Sequence, residues 1–200
     1  MSLLLSHANA MGEAELKTGD VLLQSIPCYV CAMIEAEENA PFSHIGLVLK
    51  EGNQVSVLQS WLKVQALPLK TSLSFRKVNT QTRVLRAVDA RGEEIQFDSA
   101  VFRAVFDQDF AGKSYDAAFL WNNADTLGEK YYCSEFVAKF LNRFLPIALK
   151  TKPMHYNQYR GDWIRYFRGT PPDGLPGISP ADFDNSNLFK RVGEINYSPN

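Results

Sequence analysis

The chain has 200 residues, 46% of them hydrophobic and 22% charged, with a net charge of −1. These are the proportions of one globular domain with a full core, and they exclude a disordered chain or two ordinary domains. Near-zero charge without a Lys/Arg run argues against nucleic-acid binding, and no apolar stretch approaches the roughly 20 residues needed to span a bilayer.

Taken in chain order, residues 1–16 are expected to form an N-terminal tail. Met1 to Ala10 ends in Ala-x-Ala, as the remnant of a secretory signal would, but Leu3-Leu4-Leu5 falls short of a hydrophobic region of roughly seven residues. A frayed tail is the simpler expectation, and bacterial periplasm, cell envelope or cytoplasm all stay open. Lys17 to Asp20 is a turn signal before a short strand at Val21 to Leu23. Cys28 to Asn39 fits a short helix. Ser43 to Leu49 reads as a strand, Glu51-Gly52-Asn53 as a hairpin turn, and Gln54 to Ser60 as the returning strand. Residues 61–70 continue as a further strand, and Thr82 to Val88 alternates as another. Ile95 to Phe110 fits a helix. Tyr132 to Leu145 is the clearest one, with Phe136, Val137, Phe140, Leu141 and Phe144 at helical spacing and Pro146 behind it. Beyond it, residues 150–200 form a loop-rich extension of the same domain. Within that extension Ser179-Pro180 has the form of a helix start. Consecutive strands with few helices argue α+β with an antiparallel sheet.

Three cysteines are an odd count and imply no complete disulfide framework. Cys28-x-x-Cys31 lacks the further ligands that a zinc site needs. It also lacks the strand–helix context of a redox site, so the pair reads as small buried thiols. Cys133 stands at the start of the strong helix. Unpaired N–H groups there favour a thiolate and can hold an oxyanion. Among the three histidines, His7 lies in the tail and His155 in a polar stretch, whereas His44 opens an apolar strand. A Cys/His pair therefore points to Cys133 as nucleophile and His44 as base. A base needs an orienting partner, and hairpin pairing makes Gln59 the first candidate. Glu135, two residues past Cys133, points away from it on a helix. Tyr115, Tyr132, Ser134 and Asp20 are candidates for substrate or oxyanion contacts. No metal or organic cofactor is required.

Gly19-Asp20-Val21-Leu22, Ser43-His44-Ile45-Gly46-Leu47-Val48 and Tyr132-Cys133-Ser134-Glu135-Phe136-Val137 together resemble the permuted branch of the NlpC-type papain-like superfamily, in particular the YiiX/YaeF-like permuted papain-like amidases. His before Cys is the mark of that branch. The resemblance spans roughly residues 17–145, and the Ser179-Pro180-Ala181-Asp182 stretch adds to it. It implies a single permuted papain-like hydrolase domain over 17–200, with a central antiparallel sheet or partial barrel and the nucleophile at a helix N-terminus. It also implies Cys133 as nucleophile, His44 as base and Gln59 in the third position, where many relatives carry Glu. The implied reaction is cleavage of an amide in a peptide, cell-wall peptide or lipid-linked substrate. Acyl transfer to another acceptor, or a non-catalytic binding module on the same fold, are the alternatives.

Overall fold

The computed structural model describes residues 10–196; the apolar run at Leu3 to Leu5 and His7 lie outside it. Strands β1 (Val21–Gln24), β2 (His44–Glu51), β3 (Gln54–Trp61), β4 (Lys63–Pro68), β5 (Thr82–Ala87) and β6 (Phe189–Ile195) form one sheet. Its order is β6-β5-β1-β2-β3-β4, antiparallel throughout. The helices are α1 (Tyr29–Glu37), α2 (Leu69–Ser74), α3 (Ser99–Val105), α4 (Cys133–Leu141), α5 (Arg160–Phe167) and α6 (Pro180–Asp184). The α+β class with an antiparallel sheet is thus the observed one.

Both faces of the sheet are covered, which is why β2 is buried at six consecutive residues rather than alternating in and out. Ile45, Leu47 and Leu49 point to one face and meet Phe102, Phe136 and Phe140 of α3 and α4. Val48 points to the other face, where it joins Val55, Val57, Leu69 and Leu73. This two-residue period sorts the site as well as the core. Gly46 lies on the Val48 face, and a Cβ there would stand 2.5 Å from Val57 Cγ1, so only glycine lets β2 and β3 approach this closely.

Sheet edges present unpaired backbone groups, and here both are covered. Along β4, Val64 exchanges hydrogen bonds with Gly112 and Lys113. Along β6, the Met11 N–H donates to the Glu194 carbonyl. The segment expected as a tail is therefore attached from Ala10 onward, and Leu16 is buried in the core.

Several expected boundaries move. The helix expected from Ile95 begins at Ser99, because the Asp98 side chain accepts from the Ala100 and Val101 N–H groups and caps it. Ile95 itself donates its N–H to the Ala87 carbonyl. The end of that segment, Phe106–Phe110, widens into a π-helical turn. The loop-rich extension holds α5 and β6, neither of which the sequence announced. It also holds the expected α6, with Pro180 at its first position and a Ser179/Asp182 capping box. Finally, Cys28 and Cys31 are not separate thiols. They form a disulfide across the first turn of α1, which leaves Cys133 as the free cysteine.

Candidate active site

The cleft opens where β2 begins. His44 is the first residue of β2 and pairs with Gln24, the last of β1. It shares the face of Gly46 and Val48, towards α2, whereas α4 packs on the opposite face. The two layers meet at the strand end, where Cys133 and His44 line one cleft with Trp61, Tyr115 and Tyr132.

Cys133 is the first residue of α4, with Tyr132 as its N-cap. Helix geometry leaves the N–H groups of this first turn without partners inside the helix. The N–H groups of Ser134 and, across the layers, of Ile45, the residue after His44, act on the sulfur and favour its thiolate form. Burial raises the thiol pKa to about 11, against the lowering effect of those donors. Burial likewise lowers the His44 pKa to about 4, partly offset by its bond to Gln59. At neutral pH the resting pair is thus a thiol and a neutral imidazole.

His44 Nε2 lies 2.8 Å from Gln59 Oε1. An amide oxygen only accepts, so Nε2 carries the proton and Nδ1 keeps its lone pair. The Ser72 hydroxyl of α2 donates to the same Oε1 at 3.3 Å and holds the amide in place. Gln59 is fully buried, and its Nε2 has no partner among the described residues. Trp61 stands edge-on to the imidazole, with ring centroids 5.6 Å apart, and is itself stacked on Phe75. Ser72 and Trp61 were not anticipated. Trp61 had a legible signal, since on a strand it shares a face with Gln59 two residues before it; Ser72 had none.

The remaining candidates separate. Tyr115 lines the cleft, and burial beside Cys133 pushes its hydroxyl pKa well up. Tyr132 and Ser134 also line it, but their hydroxyls are engaged. Tyr132 accepts from the Ile178 N–H at 3.0 Å, and Ser134 donates to the Ile178 carbonyl at 2.7 Å. Together they strap the segment before α6 across the start of α4. Next to it, a Cβ on Gly177 would stand 2.9 Å from the Tyr132 hydroxyl.

Asp20 is corrected outright. It sits at the far end of β1, about four residues or ~13 Å of strand from Gln24. There it is gripped by both Nε and Nη2 of Arg86, at 2.7 and 2.8 Å. A buried turn aspartate needs that partner, which makes it a scaffold residue. Glu135 does lie off the cleft, as its helical spacing implies; it accepts from the Asn122 N–H and Lys139. His155, set aside on sequence context, reaches the cleft rim.

A helix-borne cysteine and a strand-borne histidine with an amide partner, on an antiparallel sheet with His preceding Cys, define a permuted papain-like hydrolase of the cysteine amidase and peptidase type. The model of the permuted papain-like amidase enzymes, the YaeF/YiiX or C92 family, matches residues 15–193, and the chain belongs to that family. The fold is similar to that of a crystal structure described as the metalloprotein YiiX from Escherichia coli O157:H7. The TM-score is 0.75 at 16% identity, over 89% of this chain and 97% of that one. No curated protein matches the sequence. Among the described residues here, no three His, Cys, Asp or Glu side chains group so as to hold a metal ion.

Proposed function

We propose that the protein hydrolyses an amide bond in a peptide, cell-wall peptide or lipid-linked substrate through an acyl-enzyme on Cys133. The observation that supports this reading is Cys133 at the start of α4, lining one cleft with His44, which is held on Gln59. In the first step Nδ1 of His44 takes the thiol proton as sulfur bonds to the carbonyl carbon. The N–H groups at the start of α4 stabilise the oxyanion. The C–N bond then breaks, and the imidazolium returns its proton to the leaving nitrogen. Water repeats the sequence with the acyl–sulfur bond, giving the acid and the free thiol. Gln59 orients His44 without adding charge, and Trp61 keeps water off that pair.

Intact-mass trapping tests the reading. Candidate cell-wall peptides and lipid amides should leave an acyl adduct on the wild-type chain and none on Cys133→Ala. Turnover by the alanine variant at the wild-type rate overturns it. Transfer of the acyl group to an added amine, in place of hydrolysis, would identify the protein as an acyltransferase.

A further inference from the structure

Beside Cys133 the cleft has a mainly apolar wall, with Glu37, Glu38 and His155 among its polar members. Val30 and Ile34 lie one turn apart on the same face of α1 and form one side. Phe119, Tyr156 and Trp163 form the other. The disulfide between Cys28 and Cys31 closes the start of α1 at the same wall. Phe119, Tyr156 and Trp163 are buried and packed edge-to-face on one another. These rings close-pack that side of the cleft. The cavity volume is about 60 Å³, well below the roughly 300–1,000 Å³ of sites that enclose a whole small-molecule ligand. Its size suits one short group rather than a headgroup or a long chain.

We propose that this slot is the acyl-side specificity pocket, and that it takes one short, uncharged, apolar group attached to the carbonyl that Cys133 attacks. The assignment rests on the acyl-enzyme reading above. A ring-packed, mainly apolar wall suits the part of the substrate that stays bonded to sulfur while the leaving amine escapes to solvent. A charged acyl group would lose its hydration there, and the two carboxylates of the wall, Glu37 and Glu38, are already engaged by the Gln158 N–H and by Lys152. Each methylene that enters gains about fourfold in kcat/KM, until the slot is full.

The test uses para-nitrophenyl esters of acetate, butyrate, hexanoate, octanoate and dodecanoate, with the succinyl half-ester as the charged counterpart. Intact mass reports the adduct on Cys133, and nitrophenol release gives kcat/KM. The expected result is a climb from acetyl to butyryl or hexanoyl, no further climb beyond, and a succinyl ester at least about tenfold below butyryl. In Ile34→Phe, which fills the slot, the optimum should move to the shorter esters. Labelling of Cys133 by chloroacetamide should persist there, which reports an intact fold. Equal rates for all chain lengths, a climb continuing to dodecanoyl, or a preference for succinyl overturns the pocket while an adduct on Cys133 leaves the acyl-enzyme reading standing. Absence of any adduct on Cys133 from every ester overturns both.

Discussion

Nε2 of His44 lies 2.8 Å from Oε1 of Gln59, inside a shell made by Ser72 and Trp61. A neutral amide leaves the ring without a counter-charge, and burial lowers its pKa against the smaller, opposite effect of the Gln59 bond. Gln59→Glu should raise the His44 pKa from about 4 towards or beyond its ordinary value, because an adjacent carboxylate favours imidazolium. Gln59→Ala should instead leave Nε2–H unpaired, costing about 1–3 kcal/mol of stability and roughly 10- to 100-fold in kcat. Histidine titration by NMR and a thermal melt check both. An unchanged His44 pKa in Gln59→Glu would refute the electrostatic account.

The pH profile of turnover should reflect the buried base. With His44 neutral down to about pH 4, the acid limb of kcat/KM is expected near 4 rather than 6.5, and it should move upward in Gln59→Glu. Cys133→Ser should lower kcat by at least about 10³-fold, since a hydroxyl cannot replace a thiol opposite so weak a base. An acid limb near 6.5 in the wild type would show that the ring is hydrated in the working enzyme.

Stability against pH should carry two opposed contributions. His44 is depressed from 6.5 to about 4, so between these values the unfolded chain binds more protons and stability rises with pH. Glu135 is raised by burial from 4.5 to about 7, so across that window the folded chain binds more protons and stability falls with pH. Each contribution is on the order of 3 kcal/mol, and they nearly cancel in the wild type. Glu135→Gln should therefore be markedly more stable at pH 7 than at pH 4.5. His44→Gln should show the opposite slope. Denaturant melts at several pH values measure this, and parallel profiles for all three proteins would contradict it.

The disulfide makes a countable prediction. The chain has three cysteines, and Cys133 is the free one. Unfolding without reductant should expose one alkylatable thiol, and three after reduction. Closing so short a loop contributes about 2 kcal/mol. Cys28→Ser with Cys31→Ser should lose about that much stability while Cys133 keeps its reactivity. Three thiols before reduction would show that the pair is not joined.

Much of this arrangement was legible in order along the chain. The apolar, β-branched run of β2 and the turn at Glu51-Gly52-Asn53 marked the hairpin with β3. Phe136, Val137 and Phe140 marked α4, and the position of Cys133 at its start followed. Local pattern is enough where a residue's role depends on its own element. It failed for Asp20, whose turn signal was real but whose partner Arg86 lies 66 residues away. It failed for β6, a strand whose exposed Lys190 and Arg191 hide its pairing with β5. The disulfide was missed because spacing alone does not say whether two thiols at a helix start are bonded or separate.

What the sequence determined by itself was the set of elements and the chemistry they carry: a thiol on a helix N-terminus, an imidazole at the mouth of a strand, an amide on the next strand. Only the tertiary structure decided which of these meet. His44 and Gln59 face one layer and Cys133 comes from the other, so no periodicity within an element could bring them together; the packing of α4 on the sheet does so where β2 begins. The tertiary structure also set the electrostatics, because burial, which raises the thiol and lowers the imidazole, depends on residues such as Trp61 and Phe119 closing over the cleft from distant parts of the chain.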